Sequence, residues 1–363
     1  MRVLILGGTG AMGIHLVDNL IHNDIETFVT TRSYRASGKN LHYIQGNAKD
    51  LIFLERILDD HWDAVVDFMI YKTEEFRKRF NLFLDSTSQY FFLSSARVYA
   101  NSHQPITENS TRLSDVSEDA EYLSTDEYAL TKARQEDILI NSGKSNWTII
   151  RPYITYSEER LQLGVLEKEE WLYRALRGRT IIFSKEIASK LTTMTYGVDV
   201  SRAIMTLIGN QQAFGNIFHI TTKECFTWEK IKDIYLAAIE ENLGFRPKVL
   251  LQNMDKFLEL HPSKYQIKYD RLFNRQFDNS KIGDIIDINS FTTIETGLKK
   301  CIKDIINNAK FKKINWKSEA LKDKQTNEKT LLREIIGLKQ KIIYLLYRYF
   351  PSKALDKLTN IVK

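Results

Sequence analysis

Tyr128 and Lys132 stand four residues apart in Tyr128-Ala129-Leu130-Thr131-Lys132. That spacing puts two side chains on one helix face. A phenol titrates near about 10, too high for a proton relay at neutral pH, and a nearby ammonium stabilises the phenolate and brings that value down. Ser95 closes the run Tyr90-Phe91-Phe92-Leu93-Ser94-Ser95 and can donate to the same substrate oxygen. Together the three groups can move a proton on or off a carbon-bound oxygen, the chemistry of oxidoreduction at an alcohol or ketone. Alone, Tyr-x-x-x-Lys is a common surface pattern; the strand-end serine and a glycine turn upstream give it weight.

That turn is Gly7-Gly8-Thr9-Gly10-Ala11-Met12-Gly13. One glycine permits the tight turn, one lets backbone approach a pyrophosphate, and one lets the following helix pack close to the strand. The free N–H groups and positive dipole end of that helix hold the anion. Gly7, Thr9, Gly10, Ala11, Met12 and Gly13 are therefore the expected cofactor contacts. The second strand ends Val29-Thr30-Thr31-Arg32-Ser33, with no acid to take the ribose 2′-hydroxyl of NAD. Arg32 suits a 2′-phosphate, so NADP is favoured; an Arg32 that merely stacks on adenine leaves NAD open.

The elements needed to position these groups are legible. Buried-strand patterns run at Val3–Leu6, Glu26–Thr30, His42–Ile44, Ala64–Phe68, Tyr90–Ser95 and Trp147–Pro152. Helical patterns lie between them at Ile14–Ile21, Leu51–Leu58, Phe76–Leu84 and Thr125–Leu139. Such alternation implies an α/β fold, a doubly wound parallel (Rossmann) sheet with helices on both faces. Ligands bind such sheets at the carboxyl ends of the strands. The glycine turn, Asp67-Phe68, Ser94-Ser95 and Arg151-Pro152 all fall there.

With Phe92-Leu93-Ser94-Ser95-Ala96-Arg97-Val98-Tyr99 and Tyr128-x-x-x-Lys132 added to the glycine turn, the chain resembles the extended short-chain dehydrogenase/reductases, specifically the NAD-dependent epimerase/dehydratase family. Ile150-Arg151-Pro152, Thr195-Tyr196-Gly197-Val198-Asp199-Val200-Ser201-Arg202-Ala203 and Phe277-Asp278-Asn279-Ser280-Lys281-Ile282 extend the resemblance over about residues 1–305. It implies a catalytic set of Ser95, Tyr128 and Lys132, with Lys132 also holding the nicotinamide ribose. It places Asn47 near adenine and Phe68 on the loop beside the cofactor, with Tyr128 and Lys132 themselves touching it. It implies a nucleotide-sugar substrate, as in polysaccharide biosynthesis, and a homodimer formed through the Tyr128 helix. Sugar-nucleotide 4,6-dehydratases of the family carry an Asp-Glu pair just after the catalytic hydroxyl residue; here Ala96-Arg97 follow Ser95. Thr125-Asp126-Glu127 has those acids before Tyr128 instead, where capping the helix is the natural role. The expectation is therefore a 4-keto reductase or a 4-epimerase.

A chain of 363 residues suggests about two domains. We expect a dinucleotide-binding domain over 1–155, with parts of 192–222 returning to it. A smaller mixed α/β substrate domain over 156–309 and a helical tail over 310–363 follow. The formal charge of +6 is uneven: residues 310–363 carry +9 and the rest −3. A nucleic-acid partner is accordingly not expected of the body. Glu328–Phe350 reads as one basic amphipathic helix, and Ser352–Val362 as the start of another. The former suits either peripheral contact with a membrane or packing within the protein. Two distant cysteines, no metal-ligand spacing and no secretory signal point to a reducing cytoplasm, with the inner face of the membrane as the peripheral variant. In the substrate half, Trp171 and Tyr173 could stack on a base and Arg177 and Arg179 could grip a diphosphate; core packing and ordinary surface charge are equally good readings. The alternatives to a sugar-nucleotide enzyme are a non-catalytic dinucleotide sensor, an RNA-binding relative of the fold, and a reductase of a non-sugar carbonyl. An intact Ser/Tyr/Lys set argues against the first two.

Overall fold

The computed structural model describes residues 1–10 and 12–351. The chain divides into two compact units. The first joins Met1–Arg160, Leu191–Phe226 and Phe273–Leu298; the second joins Leu161–Lys190, Thr227–Leu272 and the chain from Lys299 onward.

The first unit is built on a seven-stranded parallel sheet. In chain order its elements are β1 (Arg2–Leu6), α1 (Gly13–His22), β2 (Glu26–Thr31), β3 (Leu41–Gln45), α2 (Leu51–Leu58), β4 (Trp62–Asp67), β5 (Thr87–Leu93), α3 (Tyr128–Ile140), β6 (Trp147–Pro152), α4 (Gly197–Leu207) and β7 (Asn216–Ile220). Spatial order is β7-β6-β5-β4-β1-β2-β3, all in parallel register. Strand order reverses between β1 and β4, which opens a crevice at their carboxyl ends. The doubly wound sheet read from the sequence is thus present, with β7 added at one edge.

The period of two along β1 explains the layering. Val3 and Ile5 point to one face and meet Leu16, Val17 and Leu20 of α1 and Val200, Ala203 and Ile204 of α4. Leu4 and Leu6 point to the other and join Phe53, Leu54 and Ile57 of α2 with Leu139 of α3. All four β1 side chains are fully buried, as a strand covered on both faces must be. The helix expected over 76–84 is two short pieces, Thr73–Arg77 and Phe80–Asp85.

The second unit contains a parallel pair, Ile181–Ser184 with Val249–Gln252, and the helix α5 (Trp228–Leu243), closed by Gly244 in the left-handed region at φ 75°. Later come α6 (Trp316–Thr326) and α7 (Leu338–Tyr349). Two expectations change here. Residues 273–298 group with the first unit, and the chain from Lys299 is part of the second unit's body instead of a separate tail. The single helix expected over 328–350 is also broken. Asn327 turns left-handed at φ 55°, a short 3-10 turn follows at Leu332–Glu334, and Gly337 sits at φ 87° before α7 begins. Such positive-φ residues stop a helix outright. The segment expected from Ser352 lies outside the described residues. No helix among the described residues is long and apolar enough to cross a membrane.

The tightest point of the fold is where α1 crosses β1. A Cβ on Gly13 would lie 2.7 Å from the backbone of Gly8. Backbone cannot give way as a side chain can, so Gly13→Ala should cost about 1–3 kcal/mol through overpacking. Urea denaturation checks this; an unchanged midpoint would show that α1 packs less closely than described.

Candidate active site

Each expected site residue among those described lies just beyond a strand's carboxyl end or on a helix beside it. Gly7 follows β1 in the left-handed region at φ +74°, and its N–H donates to Thr30 Oγ1 at 3.2 Å. Thr9 N donates back to the Gly7 carbonyl at 2.9 Å, which closes the turn. Thr9 and Gly10 are exposed, and a Cβ on Gly10 would meet nothing within 4 Å. Ala11 lies outside the described residues. Met12 is the N-cap of α1, yet no side chain of the described residues caps that helix and its first turn holds no acid. An α-helix whose first N–H groups are left to an external acceptor is an anion site. The turn therefore fits the pyrophosphate of a dinucleotide.

The adenine side is more open. Arg32 is exposed one residue beyond β2. Asn47 is exposed two residues beyond β3, and its Oδ1 accepts from Lys49 N at 3.1 Å. Phe68 follows β4, where its N–H donates to the Leu6 carbonyl at 2.9 Å and its ring packs half-buried against the α1 face of the sheet.

Ser95, Tyr128 and Lys132 converge. Ser95 lies two residues past β5, where its Oγ accepts from Arg97 N at 3.2 Å, and its hydroxyl is near enough to the Tyr128 phenol to act on it through hydrogen bonding. Tyr128 opens α3, and Lys132, one turn on, is almost fully buried with Nζ 6.0 Å from the Tyr128 ring centroid and 4.5 Å from that of Phe92. Burial pushes the Tyr128 phenol up; Arg97 opposes this first, then Arg160, then the Ser95 hydrogen bond. Burial also brings Lys132 down from 10.5 to about 8, against the pull of Asp67 and Glu136.

Four residues that the sequence does not single out as catalytic or cofactor-binding complete the arrangement. Asp67 ends β4 fully buried, and accepts from Met69 N and the Tyr90 hydroxyl at 2.9 Å each. Burial raises its carboxyl from 3.8 to about 6, with its hydrogen bonds and the Lys132 ammonium pulling the other way. Glu136 is one turn beyond Lys132 on α3. It accepts from Arg151 Nε at 2.8 Å and Nη2 at 2.6 Å, and from Ser94 Oγ at 2.5 Å. Arg97, on the 3-10 turn after Ser95, donates through Nη2 to Glu127 Oε1 at 2.5 Å, and its Cζ lies 5.3 Å from the Tyr128 ring. Glu127 is the N-cap of α3, accepting from Ala129 N at 2.7 Å. The capping role read from the triplet before Tyr128 is what the structure shows for Glu127. The sequence signal for Arg97 is a cation two residues past Ser95, where the family's dehydratases carry an acid. The i,i+4 spacing of Lys132 and Glu136 was the signal for the latter.

In the second unit, the aromatic and basic residues weighed as substrate contacts have other duties. Trp171 is fully buried, and Tyr173 packs with Trp316, Tyr344 and Tyr347. Arg177 and Arg179 each bind Glu334 at 2.9 Å. Among the described residues no group of three or more His, Cys, Asp or Glu could hold a metal ion.

Comparison with known proteins identifies the family of the chain. Residues 3–220 match the model of the NAD dependent epimerase/dehydratase family. An epimerase of the methanogen Methanothermobacter thermautotrophicus superposes with a TM-score of 0.66 at 16% identity, covering 85% of this chain and 92% of that one. UDP-glucose 4-epimerase of Bifidobacterium longum, solved in complex with NAD+ and UDP, gives 0.62 at 16% identity, covering 85% and 99%. At these identities the two structures speak for the fold. A curated relative, the chloroplast stem-loop binding protein of 41 kDa b of Arabidopsis thaliana, is 24% identical over 274 residues, 70% of this chain and 67% of that protein. The chain belongs to the NAD dependent epimerase/dehydratase family, an enzyme family of the short-chain dehydrogenase/reductase superfamily.

The raised Asp67 carboxyl has a pH signature. A carboxyl whose folded value lies above its unfolded one contributes stability that is fully present below the unfolded value and is lost as pH rises through the folded value. For Asp67 that window runs from 3.8 to about 6. The stability of the wild-type chain relative to Asp67→Asn should fall as pH is raised across it, measured by thermal melts at matched ionic strength. A difference that does not vary with pH would refute the assignment.

Proposed function

We propose that the chain is an NAD(P)-dependent oxidoreductase acting on a nucleotide-activated sugar, as a 4-keto reductase or a 4-epimerase. The observation that carries this reading is the convergence of the Ser95 hydroxyl, the Tyr128 phenol and the Lys132 ammonium at the carboxyl end of the sheet. The bound dinucleotide supplies the hydride-exchanging centre. Tyr128 exchanges the proton of the substrate hydroxyl. When the alcohol is oxidised, the phenolate takes that proton as the C–H bond gives up its hydride; in reduction the phenol returns it to the carbonyl oxygen. Ser95 donates to the same oxygen and fixes its direction. Lys132 would hold the nicotinamide ribose and would add to the positive charge by which Arg97 and Arg160 favour the phenolate. Arg97 stands where the family's dehydratases carry an acid, so the groups needed to eliminate water are not supplied there.

Support for the substrate class comes from the relatives, several of which were solved with UDP-linked sugars and NAD. A second reading, RNA binding, is favoured only by the likeness to the Arabidopsis relative, a stem-loop binding protein. It is opposed by the charge of −3 over the chain outside 310–363. Mass spectrometry of the ligand retained on native purification separates the two: a dinucleotide with a nucleotide sugar supports the first, RNA the second.

Two substitutions test the chemistry. Tyr128→Phe should lower kcat by about 10²–10⁴ while dinucleotide affinity stays near wild type. Near-normal turnover would sink the assignment. Arg32 supports NADP over NAD through a 2′-phosphate contact. Arg32→Ala should weaken NADP binding by about tenfold or more and leave NAD binding nearly unchanged, read by calorimetric titration. Equal losses for both cofactors would remove the NADP preference.

A further inference from the structure

Helix α7 in the second unit has two apolar faces, and among the described residues one of them packs into a core cluster while the other is exposed. Tyr344 and Tyr347 turn inward with Trp316 and Ala320, and the Tyr344 hydroxyl donates to Asp323 Oδ2 at 2.7 Å. On the other side Leu338, Ile342, Leu345, Leu346 and Tyr349 recur at intervals of three and four residues and are exposed. Leu338 is 75% exposed and Tyr349 55%; Ile336, just before the Gly337 turn, is 88% exposed. A contiguous apolar stripe of this kind on a folded surface marks an interaction site.

The charges around the stripe say what it meets. Between Trp316 and Pro351 the sequence has four acids, Glu319, Asp323, Glu328 and Glu334. All four are turned into ion pairs with arginines of the 174–179 stretch. Arg174 holds Glu319 at 2.9 Å, Asp323 at 2.8 Å and Glu328 at 2.9 Å, and Arg179 holds Glu334 at 2.9 Å. The outward charge of the segment is left to bases: Lys329, Arg333 and Lys339 are exposed. An apolar stripe rimmed by cations, with its acids sequestered inside, complements a surface that is apolar beneath and anionic on top. The stripe ends in Tyr349 and Phe350, aromatic residues of the kind that settle at headgroup depth.

We propose that the exposed face of α7 and the turn before it dock this protein on an anionic lipid surface. The helix lies in the plane of the interface, with Leu338, Ile342 and Leu345 among the acyl chains and the basic residues at the phosphates. This placement does not depend on which reaction the first unit performs.

The test uses the full-length chain and vesicle co-sedimentation. Wild type should sediment with mixed phosphatidylcholine–phosphatidylglycerol vesicles, far less with pure phosphatidylcholine, and less again as salt is raised. The variant Ile336→Glu/Leu338→Glu/Ile342→Glu alters only exposed positions; an unchanged thermal melt verifies its fold. It should lose binding by about tenfold or more. A second variant, Lys329→Gln/Arg333→Gln/Lys339→Gln, keeps the stripe and should lose the preference for anionic vesicles. No sedimentation of wild type with anionic vesicles, or unchanged sedimentation of either variant, would overturn the proposal. So would a wild-type dimer in solution that the glutamate variant renders monomeric without any vesicle binding, which would assign the face to a second copy of the chain.

Discussion

The Glu136 carboxylate is fully buried, and everything at the candidate site leans on how it is satisfied. Taking a carboxylate out of water costs several kcal/mol unless excellent geometry offsets it. Here two parallel bonds from Arg151 and a short one from Ser94 do so. Those bonds tie three elements at one point: α3, the carboxyl end of β6 and the residue beyond β5. Removing one partner from such a pair typically costs about 3–5 kcal/mol, because the other is left charged and alone. The axial and rotational setting of α3 against the sheet is thereby fixed. Lys132 and Tyr128 lie one and two turns earlier on the same helix and inherit that setting.

A second buried electrostatic interaction works in the same direction. Lys132 and Asp67 are both disfavoured as ions by burial and favoured by each other. With the carboxyl raised to about 6 and the ammonium lowered to about 8, both are charged in the interval between. The ammonium expected beside the phenol is thus kept by a carboxylate on β4, a strand that touches no part of the Tyr-x-x-x-Lys motif in sequence. The glycine turn is placed by independent means, through the close approach of Gly13 to Gly8 and the bond from Gly7 to Thr30. Cofactor turn and α3 are therefore positioned from separate strands of one rigid sheet.

Much of this was legible in the sequence. Val3–Leu6 is apolar at every position because both faces of β1 are covered, and a continuous apolar run ending in glycines can be read without coordinates. Gly7, Gly10, Ser95, Tyr128 and Lys132 follow from strand ends and helical spacing. What could not be read was which face of α3 is buried. Its buried face carries Lys132, Gln135 and Glu136, so polarity, the usual sign of exposure, pointed outward. Arg151 meets Glu136 across 15 positions of sequence and Asp67 acts on Lys132 across about 65, and no local pattern encodes such pairings. The end of the chain misled for the opposite reason. Its amphipathic period was real, but the pattern is blind to the left-handed Asn327 and Gly337 that break one apparent helix into two.

Glu127 binds the N-terminus of α3 with one carboxylate oxygen and Arg97 with the other. That makes position 127 answerable to two neighbours at once. Losing the arginine would leave a capping carboxylate without its counter-ion, and losing the carboxylate would leave a guanidinium facing the Tyr128 ring. Positions 97 and 127 should then drift together in descent, changing as a pair or not at all. A lineage that restored an acid at 97, and with it the means to expel water, would first have to find a neutral cap for the helix that holds Tyr128.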